Sequence, residues 1–332
     1  MKNVSRLGVS GKVRVGKLFG SYVLGVLLSH FASTAQAAVH VIAWGDINYD
    51  ITLTAPWPRP RNMDDIAAGD FHSLVLNGDG SIIAFGDDRF GQVNVPQQLM
   101  RKMSAMAVAA GNVHSLALTR QGTVISWGPT GGQLGDYGQC NVPPGLNKVV
   151  AISAGAVHSL ALKGDGTVVA WGLNFTGQCN VPLGLQGVVQ VTGAMYHSVA
   201  LKNDGTVVAW GDDRFGQTEV PQDLNDVVAI AAGGFHTLAL KADGTVVSWG
   251  SYGLAQIPVP DGLTGIVAVA TGDYHSLALK RDGTVVVWGF NTVGQLNVPT
   301  GLDHVVGLSA KGGHSMVLVE QRPFGRGHGN SN

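Results

Sequence analysis

A histidine stands directly before a serine or threonine at seven places: His72–Ser73, His114–Ser115, His158–Ser159, His197–Ser198, His236–Thr237, His275–Ser276 and His314–Ser315. An imidazole beside a hydroxyl is the raw material of nucleophilic catalysis, in which the ring takes the hydroxyl proton while a third group orients the ring. That chemistry needs one serine set apart by its base and its orienter, and none of the seven is set apart. The pairs therefore read as scaffold, each histidine satisfying buried backbone groups at a hairpin with a hydroxyl beside it. No glutamate pair or His-x-His cluster stands out, and the "GDGT" and "NDGT" turns lack the spaced carboxylates of a calcium loop. No catalytic residue, metal or cofactor is expected.

The spacing of the pairs describes the elements that carry them. The last five histidines, from His158 to His314, follow a strict 39-residue step, and the two earlier steps of 42 and 44 reflect small insertions. Self-similarity at this period marks a repeat architecture. Within a unit the hydrophobic period is two, as in "VVAIAAG", "HTLALK" and "TVVSWG", and turns such as "KADGT" and "KRDGT" supply the positive φ of a tight hairpin. Four short strands per unit of about forty residues is the pattern of a propeller blade.

The ends of the repeat region decide between a ring and an open stack. "HVIAWGD" is the third strand of a unit with nothing before it, and "VVGLSAKGGHSMVLVE" supplies the first two strands of a unit with nothing after them. The halves complete each other only in a closed ring, whereas an open solenoid needs polar capping repeats. Counting the histidines with Trp44, Phe85, Trp127, Trp171, Trp210, Trp249 and Trp288 predicts an all-β, seven-bladed β-propeller of four-stranded antiparallel blades over residues 38–320, closed by the N-terminal strand.

Residues 1–37 combine Lys2, Arg6, Lys12, Arg14 and Lys17 with the apolar run "LFGSYVLGVLLSHFA" and end on "AQA". This reads as a secretory signal peptide cleaved after Ala37, its apolar run too short and interrupted for a comfortable span. Its removal leaves 16 basic against 22 acidic side chains, a net charge of −6. The expectation is a secreted or periplasmic monomer with no membrane span after cleavage and no nucleic-acid partner. Residues 321–332 read as a flexible tail. Cys140 and Cys179 occupy the same place in successive "GQCNVP" segments. At an outer radius of roughly 20 Å, equivalent positions in adjacent blades stand roughly 17 Å apart, beyond the reach of a disulfide. Both are expected to be unpaired and at least partly buried.

The "AIAAG" strand carries the smallest side chains and is expected to be innermost, where blades crowd together. Antiparallel order then puts the Gly-x-x-His loops and the loops after Trp-Gly on one common face, and the Asp-Gly turns on the other. The first face is the variable one. Its inner loops carry Phe71, Tyr196, Phe235 and Tyr274, and its outer loops include two copies of "GDDRFG" with Phe90, Asp212, Arg214 and Phe215. Aromatics mixed with Asp and Arg on loops held by a rigid frame is the composition of a protein-binding surface.

The His-Ser-x-Ala-Leu, Asp-Gly-x-Val and Trp-Gly-x-Asn-x-x-Gly-Gln landmarks resemble the repeat family named for the regulator of chromosome condensation, over about residues 39–320. The family's namesake role, nucleotide exchange on a nuclear GTPase with contacts to chromatin, fits an exported acidic chain poorly. The short unit and the "GQTxVP"-type fourth strand are more similar to members of the secreted β-lactamase inhibitory protein type. That resemblance implies a protein ligand, such as a β-lactamase or another exported enzyme, held by Phe71, Phe90, Tyr196, Asp212, Arg214, Phe215, Phe235 and Tyr274. The other readings are a cell-surface or envelope interaction module, a lyase or hydrolase at the axial mouth, and an exchange-factor-like role.

Overall fold

The computed structural model of the protein describes residues 39–46, 63–100, 104–251 and 258–320. The expected signal peptide and tail lie outside these residues. Seven antiparallel sheets form seven blades. Blade I is built from Met63–Ala68, His72–Asn77 and Ile82–Gly86, and blade II from Ala105–Ala110, Ser115–Thr119 and Val124–Trp127. Blades III, IV, V and VI begin at Val149, Val188, Val227 and Ile266, and blade VII contains Val305–Lys311 and His314–Glu320. The N-terminal strand Val39–Gly45 pairs antiparallel with His314–Glu320, placing Trp44 opposite Ser315. The first strand of each blade contacts the first strands of both neighbours, and those of blades VII and I touch as well. The ring is closed, with the alanine-rich first strands innermost.

Close packing at the axis explains why small residues fill these strands: Ala67, Ala107, Ala109, Ala229, Ala268 and Ala270 are all buried. Larger side chains lie between blades. Leu74 and Leu76 of blade I pack with Val108, Ala117 and Trp127 of blade II, and equivalent clusters recur around the ring. Each Asp-Gly-Thr turn is self-contained, its aspartate accepting from the threonine two residues on; Asp165 Oδ1 takes the Thr167 N–H at 3.0 Å and its hydroxyl at 2.6 Å. Those carboxylates are committed to the turn.

The strand count per blade differs from expectation. Among the described residues each sheet has three strands, and the Gly-Gln-x-x-Val-Pro segment runs outside the ladder. It is curled by short turns such as Asn94 N–H to Gly91 O (3.1 Å) and Val95 N–H to Val93 O (2.9 Å), and its proline has no N–H to offer a ladder. Its glutamine is directed inward instead: Gln92, Gln139, Gln178, Gln217 and Gln295 are buried. The Gln92 carbonyl, after blade I, accepts both the Ser115 hydroxyl (2.8 Å) and the Trp127 indole (2.9 Å) of blade II. The same double contact joins Gln139 to Ser159 and Trp171, Gln178 to Ser198 and Trp210, and Gln217 to Thr237 and Trp249. Trp44 closes the series on Gln295 at 2.9 Å.

The histidines also turn out to act between blades, which corrects the expectation of a local hairpin role. Each Nε2 meets the hydroxyl of the next blade: His72 with Ser115 (2.8 Å), His114 with Ser159 (3.1 Å), His158 with Ser198 (3.0 Å), His197 with Thr237 (3.0 Å), His236 with Ser276 (2.9 Å), His275 with Ser315 (2.8 Å) and His314 with Ser73 (3.1 Å). The belt is cyclic. A hydroxyl that donates to a glutamine carbonyl has only its lone pairs for the ring, so Nε2 carries the proton and donates. The ring is a donor here, not a base, and the pairs are at most 1 % exposed. A nucleophile of the kind the spacing first suggests is thereby excluded at Ser115, Ser159, Ser198 and Thr237, whose protons are committed to a carbonyl.

Nδ1 of each ring is buried with no hydrogen-bond partner among the described residues. In blade I it lies where a side chain on Gly69 would meet it, at 2.7 Å from an added Cβ, and the glycines at the same place in blades II, III, V and VI are comparably close to their own rings; Ala194 and Lys311 take that place in blades IV and VII. Burial pushes the rings to about 3 for His72, His158, His197 and His275, to about 4 for His236 and His314, and well down for His114. The unfolded chain takes up these protons below the ordinary histidine value of 6.5 while the folded chain does not. Stability present above that value is lost as pH falls toward 3–4, by ~1.4 kcal/mol per pH unit for each proton. Asp273, raised to about 8, offsets one proton in the same window. We expect cooperative acid unfolding between about pH 6 and pH 4.5 with an uptake of at least about four protons, measured by urea titrations at stepped pH; stability unchanged from pH 7 to pH 4.5 would contradict the neutral belt.

Candidate functional site

The loop face is assembled by one repeated backbone contact. In five blades the residue before the histidine offers its carbonyl to the residue after Trp-Gly or Phe-Gly: Phe71 O accepts from Asp87 N (2.8 Å), Val157 O from Leu173 N, Tyr196 O from Asp212 N and Tyr274 O from Phe290 N (each 2.9 Å), and Gly313 O from Asp46 N (3.1 Å). Inner and outer loops of one blade are thus tied together on the same face, as antiparallel order requires. Phe215 O accepts from Ser251 N at 3.1 Å, tying the blade IV outer loop to blade V.

On this frame the rings of blades IV to VI meet. Phe215 and Phe235 are edge to face with centroids 5.2 Å apart, Phe235 and Tyr274 are stacked at 6.0 Å, and Tyr274 and Phe290 are edge to face at 6.3 Å. All four are half-buried, each ring supported by its neighbour while an edge or face remains open. Offset and edge-to-face pairs at these distances fix ring orientation beyond simple burial. Tyr196 flanks the arc, its carbonyl also accepting the Thr176 hydroxyl at 3.0 Å.

Beside the arc, Asp212 is a buried carboxylate that organises its loop. It accepts from Arg214 Nε (2.8 Å), Arg214 Nη2 (3.0 Å) and Gln217 Nε2 (3.1 Å), while Gln217 Oε1 takes the Phe215 N–H at 2.9 Å. Burial raises the Asp212 carboxyl, but the hydrogen bonds and charge of Arg214 outweigh it and hold the group below its ordinary range. The Asp212 side chain is 3 % exposed and that of Arg214 65 %, so the cation is presented to solvent on a fixed anchor. Asp87, Arg89, Phe90 and Gln92 repeat this arrangement in blade I.

Of the residues expected at the site, Phe215, Phe235 and Tyr274 therefore form one surface, with Tyr196, Asp212 and Arg214 alongside. Phe71 and Phe90 stand on blade I, beyond blade VII, whose inner loop Gly312–Gly313 carries no aromatic. Sequence reading missed Phe290, which ends the arc, and Phe175, 87 % exposed on the blade III outer loop. Tyr137 and Leu134, 48 % and 82 % exposed, extend the apolar surface to blade II. The signal for Phe175 was present, since it occupies the place of Arg89 and Arg214 in the aligned loops.

A charged cluster at the axial mouth was also missed. Lys311 stands where the other units have Gly69, Gly111, Gly155, Ala194, Gly233 and Gly272, and Asp70 and Asp273 share the next repeat position. Burial lowers the Lys311 amine against the opposing charges of both aspartates. Burial, reinforced by the charge of Asp70, lifts the Asp273 carboxyl to about 8. Cys140 and Cys179 are unpaired and half-buried, and burial pushes both thiols up to about 11. Among the described residues no histidine, cysteine and carboxylate grouping suits a metal ion, and no helix is long and apolar enough to cross a membrane.

Replacing Asp212 with alanine removes the anchor of Arg214 and of the Phe215 loop. We expect trypsin to cut after Arg214 at least about tenfold faster in Asp212→Ala than in the parent, while Glu219→Ala, an exposed change in the same segment, leaves the rate unaltered. Equal rates in all three would show that the carboxylate does not hold the loop.

The sequence matches the regulator of chromosome condensation (RCC1) repeat over residues 64–92, 107–139, 149–178, 191–217, 227–251 and 266–295. Comparison with curated proteins finds no match. Among solved structures the chain is similar to Prp20p from Saccharomyces cerevisiae, described with its binding properties to Gsp1p and histones, at 21 % identity over 87 % of this chain and 93 % of that one, TM-score 0.71. It is also similar to human WBSCR16 at 20 % identity, covering 86 % of this chain and 100 % of that one, TM-score 0.68. The CRINKLY WD40 ectodomain of the Arabidopsis thaliana receptor kinase ACR4 follows at 22 % identity, covering 75 % of this chain and 90 % of that one, TM-score 0.59.

Proposed function

The chain belongs to the regulator of chromosome condensation (RCC1) repeat family, and from that premise we propose that it is a non-enzymatic binding propeller that engages another protein through its loop-rich face. The observation that carries this reading is the ring-to-ring arc Phe215–Phe235–Tyr274–Phe290. Aromatics fixed by one another and flanked by an anchored arginine lose little entropy on binding and bury large area, which is the composition of interface anchors. Protein binding by the structurally similar Prp20p is in keeping with it.

The sharper form of the proposal concerns the partner. The N-terminal segment read as an export signal, together with an acidic mature chain, favours an extracellular or periplasmic enzyme over a nuclear one. The resemblance to β-lactamase-inhibitory relatives makes a serine β-lactamase the first candidate, its active-site cleft occluded by the loop face. Tyr196, Asp212, Arg214, Phe215, Phe235 and Tyr274 serve as anchors on the arc side, and Phe71 and Phe90 as a second group on blade I.

Titration of the purified protein against a panel of class A β-lactamases, following hydrolysis of a chromogenic substrate, tests the partner. Stoichiometric inhibition is the expected outcome, weakened at least about 100-fold when Phe215→Ala and Phe235→Ala are combined, since an interface anchor contributes ~2 kcal/mol or more. Inhibition that survives the double change would remove the arc from the interface. No inhibition across the panel would remove the β-lactamase reading.

A further inference from the structure

Blades VI, VII and I bring Asp273, Lys311 and Asp70 together at the loop-face end of the axis. Lys311 spans the ring, its Nζ donating to Ala154 O of blade III at 2.7 Å. Beneath it lies a cavity of about 80 Å³, lined by Asp273 and Lys311, by the hydroxyls of Ser153, Thr192 and Ser309, and by alanines of the first strands. The backbone N–H groups of Asp70 and Asp273 are committed to Gly111 O (3.2 Å) and Gly312 O (3.0 Å). Asp70 is only 9 % exposed, and its Oδ1 is buried with no hydrogen-bond partner among the described residues.

Two carboxylates and one amine leave the cluster short of one positive charge and of at least one N–H donor. A buried carboxylate in that position is strongly disfavoured unless something supplies both. Lys311 cannot supply everything, because its single charge answers only one of the two carboxylates and one of its three N–H groups is spent across the axis on Ala154 O. A bare cation would answer the charge but not the donor, whereas a primary ammonium group answers both. Its three N–H bonds suit two carboxylates and a hydroxyl, and its size suits the room available.

We propose that the axial mouth is a binding site for a primary ammonium group, seated between Asp70 and Asp273 and above the Ser153 and Ser309 hydroxyls. The inference is independent of the loop-face reading. In the absence of such a ligand, a proton on Asp273 fills the deficit, consistent with its raised carboxyl. The charged groups facing it are Asp70 and Lys311, while the nearby rings of His72, His275 and His314 stay neutral. Ligand and proton therefore compete, and affinity rises with pH as Asp273 ionises.

Calorimetric titration of the purified protein at pH 8.5 with n-butylammonium, a lysine side chain without its backbone, tests the site. Single-site saturable binding is expected, at least about tenfold weaker in Asp70→Asn and in Asp273→Asn, with tetramethylammonium, which has no N–H, failing to compete. Absence of saturable binding, affinity unchanged in both variants, or equal binding of tetramethylammonium would overturn the proposal, the last placing the cation on the aromatic rings instead. The two ammonium probes decide the matter on the parent protein even if a variant fails to fold. Nα-acetyl-lysine amide distinguishes the sources: binding comparable to n-butylammonium assigns the site to a partner's lysine, and its exclusion assigns it to a free amine.

Discussion

Closure of the ring by the histidine–hydroxyl belt is the constraint on which everything else rests. At four of the seven junctions, from blade I to blade V, the link uses four residues from two blades: a histidine and a following glutamine backbone carbonyl from one, a hydroxyl and an indole from the next. The hydroxyl accepts from the ring and donates to the carbonyl, so removing any member strands a buried polar partner. A single deletion of this kind costs about 1–3 kcal/mol, and the cyclic arrangement means that no blade is terminal. Blade VII, completed by the strand from the other end of the repeats, takes part on equal terms through Trp44, Ser315 and His314.

The belt explains the division of labour between the two faces. With blade-to-blade contacts made by buried residues just beneath the loops and by the backbone of the loops themselves, the loop side chains are released from holding the ring. The loops are still positioned, because in blades I, III, IV, VI and VII the carbonyl before the histidine is bonded to the first residue of the outer loop. Side chains there can vary between blades without cost to closure, and they do: aromatics on blades IV to VI, two anchored arginines, glycines on blade VII. The Asp-Gly-Thr turns at the other end are uniform because their side chains are spent on the turn.

Much of the architecture was legible in the sequence, because a propeller writes its period in the open. The 39-residue step, the alternation of apolar residues and the split unit at the two ends lead to a closed ring of seven. The fourth strand was misjudged because a run of Val beside Gln and Asn satisfies a strand pattern, while the glutamine carbonyl's role toward the next blade is a long-range fact. The histidine partners were hidden for the same reason: the hydroxyl beside each ring in sequence belongs to the other neighbour in space. Phe215, Phe235 and Tyr274 could be named from loop position, but Phe290 could not, since no period tells how rings lean across blades. Lys311 was readable as the one break in a column of small residues. Single exceptions to a repeat rule deserve the same scrutiny as the rule.

Long-range proton–nitrogen correlation spectra of the histidine side chains, recorded from pH 5.5 to pH 8, test the belt most directly. Seven of the eleven histidines should show a protonated Nε2, a bare Nδ1 and no titration across that range. Rings of this set that titrate near 6.5, or carry their proton on Nδ1, would mean that the blades are not joined in the way described.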